Sequence, residues 1–382
     1  MLTKSILHGQ LKMEFCDTSY NFNKYMPESH SFDLLSRTPK KTNQNLIDIH
    51  QRRYLGNKYS VLNLIEHIIK NEISEYKSIC DIFAGTGTVG NYFNSKNVEV
   101  VSNDLLYSNY ITLNAFLSDE HYDENKIEEL LEYFNQDIYA YDNYFSKHFG
   151  DKYYSIENSR KIGAIREEIE ELFAQKKITF KEKSILITSL IYAMDKIANT
   201  VGHYDSYIKK EIKQSSLKLK KLNTDNETNF SNKIYNKDAN KLIEKIEGDI
   251  LYIDPPYNSR QYCDTYHLLE NIALWQKPEL SGVAKKFDRS NLKSSYSYKN
   301  ATSAFADLIN KSKFKYILFS YNNMGDKGNS RSNARISDDA IMDILSQKGK
   351  VKVFEKEFKE FTTGKSNRGD NKERVFFVEV KK

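Results

Sequence analysis

Cysteine is scarce in this chain of 382 residues: Cys16, Cys80 and Cys263 stand far apart. Their number and spacing exclude a disulfide scaffold and any Cys-x-x-Cys metal knuckle. Long apolar runs are missing as well, since charged residues interrupt each one well short of the ~18 positions that cross a bilayer. The opening Met1-Leu2-Thr3-Lys4 has no signal-like apolar stretch, so a cytoplasmic protein is expected. A large excess of one charge is also absent. The 57 basic residues, 46 of them lysine, exceed the 52 acidic ones by only +5, and an AT-rich coding sequence gives the same mixture. Local clustering of charge therefore says more than the total. What the chain does have is 39% apolar and 13% aromatic residues, too much for a disordered chain and enough for one large domain or a core with an insert.

Residues 1–50 show no sustained period and contain turn formers such as Pro27 and Pro39, which reads as an extension. Val61, Leu64, Ile65, Ile68, Ile69 and Ile73 then recur at three- and four-residue spacing, the pattern of an amphipathic helix. Ser78–Phe83 reads as a short buried strand ending in glycines, and Val98–Ser102 as a second strand closed by Asn103-Asp104. Strand, glycine turn, helix and strand make a βαβ unit of a parallel sheet, cofactor-binding in type, over 51–112. From 113 to 232 the periods are helical, including a helix from Ile185 to Ile197, and this stretch reads as an insert. Strand patterns return over 233–382, at Asp249–Ile253 and Tyr316–Ser320. A closing antiparallel hairpin follows, Val351–Phe358 with Arg374–Val380, around a long polar tip.

Two constellations carry chemistry. In Asp81-Ile82-Phe83-Ala84-Gly85-Thr86-Gly87-Thr88-Val89-Gly90, three glycines at the end of the first strand allow a turn tight enough to press against a ligand. Thr88-Val89 stands where a P-loop needs Lys-Ser/Thr, which disfavours a nucleoside triphosphate. The Gly85-x-Gly87-x-x-Gly90 spacing, with Asp104 placed to accept from ribose hydroxyls, leaves NAD, FAD and S-adenosylmethionine open. The second constellation, Asp254-Pro255-Pro256-Tyr257, follows the strand Leu251–Ile253 and opens into the same crevice. Two prolines fix φ and remove two amide donors, leaving a carboxylate, an outward carbonyl and an aromatic ring on one rigid corner. Such a corner suits a planar exocyclic amine: two acceptors for its N–H bonds and a ring to stack on its base.

With these residues in view, the chain resembles the alpha-class amino-methylating DNA methyltransferases that modify adenine N6, and among them the modification enzymes of type II restriction systems. Tyr54-Leu55-Gly56-Asn57-Lys58 matches their aromatic-x-Gly-x-Lys segment, Asp81–Gly90 the FxGxG loop, Asn103-Asp104 the acidic second-strand end, and Asp254–Tyr257 the DPPY tetrad. The resemblance implies a Rossmann-like α/β fold, a mixed seven-stranded sheet with a reversed final strand and a mainly helical insert at 113–232 serving target recognition. It also implies S-adenosylmethionine as cofactor, held by Tyr54, Gly56, Lys58, Asp81, Phe83, Ala84, Gly85, Thr86, Gly87, Asn103, Asp104, Asp238 and Asp254. Asp254, Pro255, Pro256 and Tyr257 become the catalytic residues of direct transfer to a base flipped from duplex DNA. Hydrogen bonds from the N6 amine to Asp254 and the Pro255 carbonyl favour a pyramidal nitrogen whose lone pair points at the sulfonium methyl, and the carboxylate stabilises the positive charge that develops. No metal is needed, the cysteines are not placed as nucleophiles, and pairing with a restriction endonuclease is the implied biology.

Three basic stretches offer contacts to DNA. Residues 205–222 carry Lys209 and Lys210 within a local +4, and 285–299 carry Lys285, Lys286 and Arg289 within another +4, with Tyr296 interleaved. The hairpin tip adds Lys365 and Arg368. His203, in Ala198–Asp205, and Arg260, in Ser259-Arg260-Gln261-Tyr262, are expected near the DNA or the flipped base. Other substrates stay open, namely cytosine N4 and RNA adenine. A decayed DNA-binding module is countered by the intact Asp254, Lys58, Gly85 and Gly87, and an NAD-dependent dehydrogenase leaves Tyr54–Lys58 and the DPPY corner unexplained.

Overall fold

The computed structural model describes residues 46–322, 334–357 and 372–381, apart from 57, 95, 97, 137–140, 213, 214, 225–228 and 230. Its elements are α1 (Leu62–Glu72), β1 (Ser78–Asp81), α2 (Thr88–Asn94), β2 (Glu99–Asn103), α3 (Tyr107–Leu117), α4 (Glu124–Phe134), α5 (Tyr144–Phe149), α6 (Ile156–Ala174) and α7 (Phe180–Ile197). After these come β3 (Lys233–Tyr235), α8 (Ala239–Leu242), β4 (Glu247–Ile253), α9 (Tyr262–Thr265), α10 (His267–Leu274), α11 (Ala301–Lys311), β5 (Lys313–Asn322), α12 (Asp338–Ser346), β6 (Gly349–Glu357) and β7 (Lys372–Val380).

The seven strands form one mixed sheet in the order β3-β2-β1-β4-β5-β7-β6. The first five are parallel, and β7 runs antiparallel to both β5 and β6. The expected strands and the closing hairpin are therefore present, while the hairpin tip with Lys365 and Arg368 lies outside the described residues. Because side chains alternate along a strand, Ile79, Val100, Ile250 and Leu318 meet α1 and α2 on one face. Their neighbours Cys80, Val101, Leu251 and Phe319 meet α11 and α12 on the other. Strand order reverses at β1, with β2 and β4 on either side, and the crevice outside that switch point is where an open α/β sheet binds ligands. Asp81, Asn103-Asp104 and Ile253-Asp254 all stand at carboxyl ends there.

Helices α3–α7 share one core with α10. Ile111, Leu113, Ile187, Ile191, Leu268 and Ile272 belong to it, all at 0% exposure. The Lys181 ammonium donates to the carbonyls of Asn114 (2.9 Å) and Ser118 (3.0 Å), capping the end of α3 from α7. Residues 42–382 accordingly form one compact unit. Two expected boundaries move. The 112/113 division falls inside α3, whose Leu113, Ala115 and Leu117 stay buried, so the helical region starts earlier. The last residues assigned to the extension belong to the core: Ile47 and Ile49 are each 2% exposed, and the Tyr192 hydroxyl donates to the Ile49 carbonyl at 2.6 Å.

The glycine turn is packed as tightly as its sequence implies. Gly87 has φ +88°, and a Cβ there would lie 2.7 Å from Leu113 Cδ2 and 2.9 Å from Ile49 Cδ1. Gly87→Ala combines a left-handed alanine with overpacking, so it is expected to cost about 2–4 kcal/mol. Urea or thermal unfolding reads this directly; a loss under ~0.5 kcal/mol would mean that the turn relaxes freely. Among the described residues no helix is long and apolar enough to cross a membrane.

Candidate active site

A cleft of about 980 Å³, counted out to its open mouth, lies at the switch point. Tyr54, Gly56, Lys58, Asp81, Phe83, Ala84, Gly85, Thr86, Asn103, Asp104, Asp238, Asp254 and Pro256 line it. Residues distributed over 200 positions of sequence thus meet in one place. Gly87, Pro255 and Tyr257 do not line it: Gly87 sits beneath, against Leu113, and Tyr257 packs its ring against Tyr321 at 6.5 Å.

Each wall is built by local rules. The turn after β1 is folded around Asp104, whose carboxylate accepts from the Gly85 amide (2.9 Å), the Leu106 amide (2.9 Å) and the Asn109 side-chain amide (3.1 Å). Burial pushes the Asp104 carboxyl up to about 6 even though these donors pull it down. Asn103 acts as a staple, donating to the carbonyls of Ile82 and Lys237, both at 3.0 Å, and so locating the loop that carries Asp238. Asp238 itself caps α8 by accepting from the Lys241 amide (3.2 Å).

At the floor Lys58 meets the carboxyls of Asp254 and Asp81. Lys58 Nζ pairs with Asp254 Oδ1 at 3.0 Å, with side-chain exposures of 8% and 17%. Burial disfavours the ammonium, but the Asp254 carboxylate outweighs it and holds Lys58 above the ordinary lysine range. Burial likewise pushes Asp254 up to about 6, against the pull of Lys58. Asp81 is 2% exposed, and burial followed by the negative charges of Asp254 and Asp104 drives its pKa well up. Its Oδ1 has no hydrogen-bond partner among the described residues, an unusual state for a buried oxygen.

An aromatic stack in which Tyr54 of the sequence motif is joined by Tyr262 and Tyr266 forms another wall. Tyr54 stacks on Tyr266 at 4.7 Å and on Tyr262 at 5.4 Å. The Leu55 amide donates to the Tyr266 hydroxyl (2.8 Å), and the Tyr262 hydroxyl donates to the Leu55 carbonyl (3.2 Å), so the 54–58 segment is clamped from α9 and its junction with α10. Behind the stack Arg52, 3% exposed, faces both Tyr54 and Tyr266 and pairs with Asp195 at 3.4 Å. Tyr262 and Tyr266 are one helical turn apart, a spacing visible in the sequence; nothing local identifies Arg52. Gln261 lines the cleft and grips Ser294 through both ends of its amide, at 2.8 and 3.0 Å, which seats Ser294, Ser295 and Tyr296 as the facing wall. Cys263 also lines the cleft, but burial pushes its thiol up to about 11, so it is no ready nucleophile at neutral pH.

The residues expected to face DNA divide. Tyr296 is corrected: it is 3% exposed, meets Phe83 edge-on at 5.0 Å and donates to Asn240 (3.0 Å), so it is cleft wall and not a stacking surface. Lys286 pairs with Asp205 (2.9 Å) and Arg289 with Asp264 (2.8 Å), so both charges are partly committed within the fold. Lys209, Lys210 and Arg260 are exposed, while Lys285 and His203 are half-buried, His203 lying 3.9 Å from Asp205. Part of the 205–222 stretch is a strap: Leu217, Leu219 and Leu222 are buried, and Lys221 is paired to Glu124 and Glu128.

Comparison with known proteins places the chain in a family. Residues 54–326 match the family of D12 class N6 adenine-specific DNA methyltransferases. The chain is 38% identical over 291 residues to the type II methyltransferase M.FokI of Planomicrobium okeanokoites, covering 72% of this chain and 45% of that protein. It is 32% identical over 345 residues to the modification methylase LlaI of Lactococcus lactis subsp. lactis, covering 84% and 53%. To the type II methyltransferase M.NlaIII of Neisseria lactamica it is 33% identical over 336 residues, covering 84% and 95%. The chain thus spans about half the length of M.FokI and LlaI, and nearly all of M.NlaIII.

Proposed function

We propose, on the premise that the chain belongs to the D12 class of N6 adenine-specific DNA methyltransferases, that it methylates adenine N6 at specific sites in duplex DNA as the modification partner of a restriction endonuclease. The observation that carries the reading is the buried Lys58–Asp254 pair, which sits in one cleft with the Gly85 turn and Asp104.

The cleft fits S-adenosylmethionine, which supplies an electrophilic methyl group when bound. Asp104 offers carboxylate oxygens for ribose hydroxyls, and Phe83 and Asp238 line the same cleft. The Oδ1 of Asp81, without a partner among the described residues, is a buried polar atom open to a polar group of the cofactor. Gly85 has φ +54°, and a Cβ there would lie 3.3 Å from the Tyr54 ring, so a side chain at this turn would crowd the cleft wall. Above pH 6 Asp254 is a carboxylate fixed by Lys58, ready to accept an N–H from the target amine and to stabilise positive charge as it forms there. Pro255 and Pro256 keep that carboxylate on a rigid corner, so little reorganisation is left for the reacting state. The base reaches this corner by leaving its duplex.

The test is transfer of labelled methyl from S-adenosylmethionine to unmethylated duplex DNA, with nucleoside analysis and sequencing of the product. N6-methyladenine at one short recurring sequence is expected. Label on cytosine, or on RNA alone, would overturn the substrate assignment, and cofactor binding without any transfer would overturn the activity.

A further inference from the structure

Three loops far apart in sequence meet beyond the α9–α10 junction. Tyr153, fully buried, ties them together: its hydroxyl lies 2.9 Å from the Tyr204 carbonyl and 3.2 Å from the Ala284 carbonyl, and its own carbonyl accepts from the Asn199 amide (2.9 Å). Asn199 closes the second loop by donating to the Ile208 carbonyl (2.8 Å) and reaches the first through the Lys152 carbonyl (2.9 Å). The third loop is a tight turn, Ser281 and Lys286 exchanging backbone hydrogen bonds at 2.8 and 2.9 Å, and its Ala284 carbonyl also lies 2.8 Å from His267 Nε2. The assembly abuts the active site. The Tyr204 amide donates to the Thr265 carbonyl (2.9 Å), and Thr265 lies two residues past the cleft-lining Cys263.

Such heavy internal bonding fixes what the loops present outward. Lys147, Lys152 and Lys285 surround His148, whose imidazole is held below the ordinary histidine range by burial and then by those three charges. None of the three forms an ion pair among the described residues, and Lys209 and Lys210 continue the positive surface. Asp142, Asp151 and Glu211 are exposed acidic residues beside it, Asp142 being paired with Arg160 and also facing Lys147; Asp205 is already neutralised by Lys286. At the tips stand two bare aliphatic side chains, Val201 at 63% exposure and Val283 at 73%. Unpaired cations around protruding isopropyl groups match a polyanion that has an apolar-edged groove between two lines of charge.

We propose that this three-loop surface docks the DNA duplex, with Lys147, Lys152 and Lys285 on phosphates and Val201 and Val283 against the groove between them. The proposal rests on the reading of duplex DNA as substrate. It adds Lys147, Lys152 and the two valines to the residues expected from sequence, and it makes Tyr153 the buried pin that sets their spacing.

The test uses the full chain and a duplex that the wild type methylates. In the Lys147→Gln/Lys152→Gln/Lys285→Gln variant, affinity at low salt is expected to fall tenfold or more, and the slope of log affinity against log salt to become shallower by about 2–3, roughly one for each phosphate left without its lysine. Cofactor binding should not change. A control with equal charge loss, Lys245→Gln/Lys313→Gln/Lys350→Gln, lies at the amino ends of β4, β5 and β6, away from the cleft, and should bind as wild type does. Val283→Glu sits at an exposed tip where folding is not at stake, and it should also weaken binding at least tenfold. A lysine variant with wild-type affinity and salt slope, or a control that weakens binding equally, overturns the docking surface. A wild type that neither binds nor methylates any duplex overturns instead the reading beneath it.

Discussion

Asp254→Asn should fold and bind cofactor but transfer methyl groups some 10²–10³ times more slowly, the usual scale for removing one preorganised electrostatic interaction from a reacting centre. Asparagine keeps the size of the side chain and one oxygen facing Lys58, but it cannot stabilise positive charge on the target amine. The pairing also shows why alanine is the poorer probe. Lys58 is 8% exposed at the side chain and depends on Asp254 at 3.0 Å for its counter-charge. Either change removes that counter-charge, but asparagine leaves the ammonium an amide oxygen to bond, whereas truncation leaves it buried with neither charge nor acceptor, a loss of about 3–5 kcal/mol that would mix instability with lost chemistry. Single-turnover methyl transfer, measured beside thermal unfolding with and without cofactor, separates the two. Activity within tenfold of wild type in a folded Asp254→Asn variant would remove Asp254 from the chemistry.

The parts of this site that can be read from sequence are those in which one short segment does the work. Gly85 and Gly87 must adopt positive φ, Asp104 ends the next strand, and two prolines stiffen Asp254, so each motif carries its own geometry. Long amphipathic elements are equally legible: α1 and α7 appear where their periods put them, as do β4, β5 and the β6–β7 hairpin. What is not legible depends on the fold. Strand β3 has three residues and gains its identity only by pairing with Val101–Asn103. Arg52 has meaning only because α7 brings Asp195 to it and the α9–α10 junction brings Tyr266. Tyr296, among lysines, reads as a surface aromatic. Its burial follows from Gln261 drawing Ser294 inward, a contact between positions 33 residues apart. Composition reports the average environment of a stretch, and one inward-facing residue inside it is invisible to that average.

The same pairing sets the pH dependence, and removing its cation is expected to move it. Asp254 titrates near 6 because burial raises its carboxyl and Lys58 only partly offsets the rise. If transfer needs the carboxylate, the rate should rise through pH 6 and level off above it. Lys58→Met keeps the length and apolar stem of the side chain but removes the charge that favours ionised Asp254. The midpoint of the acid limb should then climb by roughly 1–3 pH units, the scale of a close opposite charge. At pH 7 most of the activity would be lost, and much of it would return by pH 9. The stability of the wild type runs in the opposite sense. Because the native state raises the pKa of Asp254 above its ordinary value, proton binding there favours the fold, and this contribution is lost as pH climbs from about 4 through 6. Activity should therefore increase across the very interval in which this carboxyl ceases to help folding, as expected of a group held ionised for chemistry. A pH–rate profile of Lys58→Met with an unmoved acid limb would assign the titration to another group, Asp104 being the next to test since it too sits near 6.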